Sequence, residues 1–118
     1  MPRKRILVKS IDTSISYQVI GIDLAKHLVS ACLITGAGEI FGIDRLTYDD
    51  LLKSAERMSP TLFCMEPCPE VHYLAEKLQG YGHHTKVIDG AAVKEYIKTH
   101  FGGQKTDLND AQAIAFLS

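Results

Sequence analysis

Apolar positions first gather into strand-like runs at Tyr17. Tyr17-Gln18-Val19-Ile20-Gly21-Ile22-Asp23 is mostly apolar and carries β-branched residues, and His27 to Thr35 repeats that character. Gly36-Ala37-Gly38-Glu39 supplies a turn, and Ile40 to Leu46 reads as a third strand. The connections are short, which predicts an antiparallel meander. The period then changes. Thr47-Tyr48-Asp49-Asp50 has the form of a helix start, with Thr47 as cap and an acid three positions on. Leu51, Leu52, Ala55 and Met58 follow at helical spacing, and Pro60 stops the helix. Thr61 to Met65 is a short apolar run, read as a buried strand. Pro67 and Pro69 open a second helix, whose apolar face is Val71, Leu74, Ala75 and Leu78. Gly80 and Gly82 end it. Thr85 to Ile88 is a fifth strand, Asp89 caps a helix running to about Lys98, and Gly102-Gly103 mark a mobile loop. Thr106 or Asp107 caps a last helix, Leu108 to Leu117.

Three antiparallel strands followed by strand–helix units imply an α/β fold, a mixed five-stranded sheet with helices on its faces. Residues 1–14 read as a basic, partly flexible arm and residues 15–118 as one domain. A length of 118 residues with 46% hydrophobic and 23% charged residues suits a globular unit with its own core. No apolar run approaches the roughly 20 residues needed to span a bilayer. The cysteines, Cys32, Cys64 and Cys68, are odd in number and lack a framework spacing, which suits a reducing, cytoplasmic setting. Net charge is −1, so the chain is no simple polycation for coating phosphates. The charge is uneven, however. Arg3, Lys4, Arg5 and Lys9 crowd the first ten residues, leaving 9 basic against 14 acidic residues in the rest.

Four of those acids fall at structurally telling places. Asp23 ends the first strand and Glu66 ends the fourth, each directly after apolar residues. Asp107 and Asp110 are three apart at the start of the last helix, hence on one face of it. Sites in sheet-and-helix folds gather beyond strand ends, so the four can converge there. Clustered carboxylates repel one another and need a cation, and hard oxygen donors suit Mg2+ or Mn2+. Two such ions about 3.5–4 Å apart stabilise both the attacking and the leaving oxygen of a phosphoryl displacement. Each acid also has a plainer use: Asp23 as a strand-end residue, Glu66 as a helix-start acid, Asp107 and Asp110 as first-turn charges favoured by the helix dipole.

The order of these motifs resembles that of the DEDD-type insertion-sequence transposases. Gly21-Ile22-Asp23-Leu24-Ala25-Lys26 is similar to their opening strand motif, and Met65-Glu66 with Cys68 nearby to their second. Val93-Lys94 and Lys98, ahead of Lys105-Thr106-Asp107-Leu108-Asn109-Asp110-Ala111-Gln112-Ala113-Ile114, resemble the third. The resemblance covers about Val19 to the end. It implies a ribonuclease-H-like domain similar to Holliday-junction resolvases of the RuvC type. It further implies that Asp23, Glu66, Asp107 and Asp110 are both catalytic and metal-binding, that Mg2+ (or Mn2+) is the cofactor, and that the reaction is cleavage and transfer of DNA strands in transposition. The expected partners are DNA, further copies of the chain and, for some members, a bridging guide RNA. Two departures stand out. Pro67-Cys68-Pro69-Glu70 replaces the small residue and glycines expected after Glu66. The family's proteins are also much longer, with a serine nucleophile in a second domain, so the chain is read as an N-terminal catalytic fragment and no serine is carried over.

Lys26 and Lys105 flank the acids and are candidate nucleic-acid contacts, with solvated lysines as the plain alternative. Cys64, Cys68 and His72 are four apart, but strand and helix positions are mixed and the spacing is not that of a zinc finger. Other readings stay open on the residues alone. A nucleotide binder of the acetate-kinase and actin type also opens with an Ile-Asp strand, but wants glycines where Leu24-Ala25-Lys26 stands. A resolvase-like nuclease and a non-catalytic interaction domain are the remaining alternatives.

Overall fold

A computed structural model describes residues 4–118. The elements run β1 (Arg5–Leu7), β2 (Tyr17–Leu24), β3 (Leu28–Thr35), β4 (Ile40–Thr47), α1 (Tyr48–Arg57), β5 (Leu62–Met65), α2 (Val71–Gly80), β6 (His84–Val87), α3 (Gly90–His100) and α4 (Asp107–Phe116). They build one sheet in the order β1-β4-β3-β2-β5-β6. The β2-β3-β4 meander is antiparallel, while β5 and β6 add in parallel on the β2 side and β1 adds in parallel to β4. This is a mixed α/β architecture consistent with a ribonuclease-H-like fold.

The sheet has six strands where five were expected from the sequence. The additional strand, β1, is three residues long and lies in the segment read as a basic arm. It exists as the partner of β4, with Ile6 opposite Phe41, and no local pattern encodes that pairing. Arg3, counted with the arm, lies outside the described residues. A smaller difference concerns α2. Pro67 and Pro69 fall in the turn ahead of it, and the helix starts at Val71 behind Glu70.

Alternation along the strands sorts the core into two faces. Ile20 and Ile22 of β2 join Leu33, Phe63 and Met65 under α1 and α2, which contribute Leu51, Ala55, Leu74 and Leu78. Val19 of β2 joins Cys32, Ile34 and Cys64 on the opposite face, under Val93 and Ile97 of α3 and Ala111, Ala113, Ile114 and Ala115 of α4. Fully burying one such aliphatic or aromatic side chain contributes about 1.5–3 kcal/mol. The same alternation fixes where the acids fall. Asp23 continues the Val19-Gly21 row and Glu66 continues the Leu62-Cys64 row, so both belong to the α3–α4 face. Ile22 pairs with Met65, which sets Asp23 and Glu66 one step further on, at neighbouring strand ends.

Candidate functional site

Gly21 determines how closely α4 can lie on the sheet. A Cβ there would stand 2.3 Å from the Ala111 carbonyl oxygen and 2.5 Å from the Ala115 nitrogen, so no other residue fits without moving the helix. The small residues Ala111, Ala113 and Ala115 let the helix backbone rest on β2 and β3. That contact carries the first turn of α4, and with it Asp107 and Asp110, to the end of β2 where Asp23 stands. Thr106 caps the helix by accepting from the Asn109 N–H at 3.0 Å. The Asn109 side chain donates to the Gln104 carbonyl at 2.8 Å, fixing the loop ahead of the helix. Arg5 of β1 donates to Asn109 Oδ1 at 3.3 Å and to Gln112 Oε1 at 3.0 Å, clamping α4 from the sheet edge.

The acids are near enough to feel one another. The Asp23 carboxyl is pushed up to about 7 by burial first, then by the charges of Asp110 and Asp107, a side-chain hydrogen bond with Asp107 and the charge of Glu66. Glu66 is raised too, by burial and then by Asp110, with Lys105 and Lys94 offsetting part of the rise. Asp110 is only 4% exposed. Its Oδ2 accepts from Lys105 Nζ at 2.5 Å, while its Oδ1 has no hydrogen-bond partner. Asp107 is exposed in the same first turn. Glu66 stands apart from α2, whose N-cap position is Glu70, so it does not serve as that helix's cap.

Electrostatic proximity is not yet ligand geometry. Among the described residues no three His, Cys, Asp or Glu side chains are drawn together as a set that could hold an ion where they stand. The donor set nevertheless suits a hard divalent cation. It offers carboxylate oxygens close enough that neighbouring acids disfavour ionisation of Asp23 and Glu66, and a buried oxygen, Asp110 Oδ1, that lacks a partner. Cys64 is buried in β5 and Cys68 lies in the turn after it, so no zinc set forms with His72.

A cleft of about 430 Å3 opens beside Glu66, lined by Gly90, Lys94, Gly103 and Lys105 among others. Of the two lysines singled out in the sequence, Lys105 sits at this cleft against Asp110. Lys26 lies exposed in the β2–β3 turn, past the end of the Asp23 row. Lys94, named in the sequence only as part of the third motif, and Arg5, counted only with the basic arm, take placements that sequence reasoning did not assign them. Lys94 stands one helical turn into α3 and looks like any solvated helix lysine until the fold brings α3 beside Glu66. Arg5 was read as part of an arm, and only the β1–β4 pairing turns it onto α4.

Residues 20–118 match the transposase family of the DEDD, IS110 type. The chain is 34% identical over 104 aligned positions to the "Probable family 20 transposase" of Pseudomonas aeruginosa, covering 80% of this chain and 27% of that protein. It is 29% identical over 98 positions to the transposase for insertion sequence element IS1111A of Coxiella burnetii, covering 83% and 26%. With the transposase for insertion sequence element IS1328 of Yersinia enterocolitica the identity is 28% over 96 positions, covering 81% and 28%. The chain thus spans about a quarter of the length of the curated relatives it matches.

Proposed function

Because this chain belongs to the IS110-type family of DEDD transposases, we propose that its four acids form the metal-binding part of a DNA strand-cleaving and strand-transferring centre. The observation that carries this reading is that Asp107, Asp110 and Glu66, from one helix start and a neighbouring strand end, stand near enough to Asp23 to disfavour its ionisation, with the buried Asp110 Oδ1 left without a partner among them. Structural caps do not need to share one another's fields. A group that must hold a cation does.

In this reading Asp23, Glu66, Asp107 and Asp110 hold Mg2+ or Mn2+ through their carboxylate oxygens. A bound divalent ion supplies Lewis-acid stabilisation of charge on phosphoryl oxygens and activation of an attacking hydroxyl. The chain's own residues do the remaining work. Gly21 and the alanines of α4 fix the spacing of the two helix acids over Asp23. Lys94 and Lys105 line the cleft beside Glu66, where their ammonium groups would neutralise the phosphates of a DNA strand led to the acids. Lys26 would contact the same strand beyond the end of β2. Among the described residues no helix is long and apolar enough to cross a membrane. A cytoplasmic protein with DNA as partner is part of the proposal, as are the further copies and guide RNA implied for the whole protein.

The test is a calorimetric titration with Mn2+, comparing the wild-type chain with Asp23→Asn and Asp110→Asn. Shared liganding predicts specific binding in the wild type and its loss in both variants, although the residues come from elements distant in sequence. Equal binding by all three proteins would return the acids to ordinary capping and strand-end roles.

A further inference from the structure

The two oxygens of Asp110 are treated unequally by the fold. Oδ2 accepts from Lys105 Nζ at 2.5 Å, whereas the buried Oδ1 has no partner. A buried carboxylate satisfied on one side only is a group the fold has left open to a further ligand. The ammonium on its other side comes from a side chain that is not packed in place. The Lys105 side chain is 71% exposed. Its backbone follows Gly102 and Gly103, whose φ angles of 60° and 82° are ones that L side chains rarely adopt. It also borders the cleft of about 430 Å3, so it can withdraw from Asp110 without displacing packed residues. Its charge reaches Asp23 and Glu66 as well as Asp110.

Resting on the reading of the four acids as a metal site, we infer that Lys105 is a displaceable counter-ion, which neutralises the acid cluster and must leave Asp110 Oδ2 for a divalent cation to be held there. The ammonium and the cation seek the same oxygen, and a positive charge beside the site repels a doubly charged ion. Lys105 therefore lowers cation affinity and sets the concentration at which the site loads. Once released it remains at the cleft, beside Lys94, where a phosphate can take up its charge. It is a positioning residue. Its removal has a signature opposite to that of a structural support, since losing a support weakens binding and losing a competitor tightens it.

The experiment is Mn2+ titration by calorimetry at a mildly alkaline pH on the 118-residue chain, comparing wild type, Lys105→Gln, Lys105→Arg and Asp110→Asn, each checked for folding by circular dichroism. Displacement predicts at least about fivefold tighter binding for Lys105→Gln, near wild-type affinity for Lys105→Arg and none for Asp110→Asn. Unchanged or weaker binding by Lys105→Gln, with Asp110→Asn still abolishing it, overturns the inference and leaves the metal site standing. No binding by any of the four proteins overturns both. A second measurement is independent of the variants. Acylation of Lys105 by an amine-reactive reagent, followed by mass spectrometry in the wild type, accelerates on Mn2+ saturation while the exposed Lys98 keeps its rate. An unchanged Lys105 rate overturns the inference even if Lys105→Gln fails to fold.

Discussion

Asp23 illustrates what a single side chain can report. Its carboxyl titrates at about 7 in the folded chain against an ordinary 3.8, with burial as the first cause and Asp110, Asp107 and Glu66 as the charges facing it. The unfolded chain gains by ionising Asp23 as soon as the pH passes 3.8, whereas the folded chain lags until about 7. The stability linked to Asp23 is thus fully present below the ordinary value and is lost as pH rises through the folded one. Glu66 is shifted the same way, and Lys105 is raised from a value far above this window. In chelator-containing buffer the melting temperature should therefore fall as pH rises from about 4 to about 7 and level off above that. Asp23→Asn should flatten part of that slope and melt about 4 °C higher than wild type at about pH 8, roughly 1 kcal/mol of relief after allowance for partial exposure. A variant less stable than wild type at that pH would show that the Asp23 charge is stabilised after all. Lys94 carries a separate expectation. Lys94→Gln should weaken binding of a single-stranded DNA oligonucleotide and lower the salt slope by about 1, while Lys98→Gln outside the cleft does neither. An unchanged slope in Lys94→Gln would remove the cleft from the DNA path. At this scale the sequence was informative about acids and poor about bases. An acid after an apolar run is conspicuous, because burying it is costly. An exposed lysine on a helix is ordinary until a neighbouring element gives it something to face.

Among the elements, α4 governs the geometry. Its alanines and Gly21 make a contact in which backbone meets backbone, so one added side chain acts on the whole helix. Gly21→Val should destabilise the chain by about 1–3 kcal/mol, the usual effect of overpacking, and should cost Mn2+ affinity as α4 shifts away from β2. Denaturant unfolding at constant m-value measures the first effect and calorimetry the second. A stable Gly21→Val chain with intact cation binding would mean that α4 need not lie flush. Arg5→Ala tests the other hold on the helix. Loss of the guanidinium bonds to Asn109 and Gln112 should lower stability by about 1–2 kcal/mol, read from the same unfolding curves. An unaltered midpoint would leave Arg5 free for other partners. The strands of the meander and all four helices were legible because each carries its own periodicity and, for α1, α3 and α4, its own cap at Thr47, Asp89 and Thr106. β1 was not legible. Three residues, Arg5-Ile6-Leu7, are too few for a period, and they become a strand only by pairing with β4. The start of α2 was misplaced because prolines favour a first helical turn as readily as the turn before one.

For the molecule as a whole, the sheet divides two kinds of work. One face, under α1 and α2, is a continuous apolar core built from Ile20, Ile22, Phe63 and Met65. The other, under α3 and α4, is apolar at its centre and acidic at the ends of β2 and β5. On the proposed function, a chain of net charge −1 can suit a polyanionic partner, because the acids would hold cations while Lys94 and Lys105, which line the cleft beside Glu66, would meet phosphate. The convergence of the four acids on one end of the sheet was anticipated from strand ends and helix spacing. Whether their side chains close around one ion depends on rotamers that no sequence pattern specifies. The most direct measurement is paramagnetic mapping. Substoichiometric Mn2+ is added to the isotope-labelled chain and the broadening of backbone amide signals is recorded residue by residue. A shared centre predicts broadening focused on residues around Asp23, Glu66 and Asp107 to Asp110, with α1 and α2 left sharp and the effect lost in Asp110→Asn. Broadening centred instead on the exposed Asp49-Asp50 pair, or scattered over surface acids and unchanged in Asp110→Asn, would contradict a common metal site.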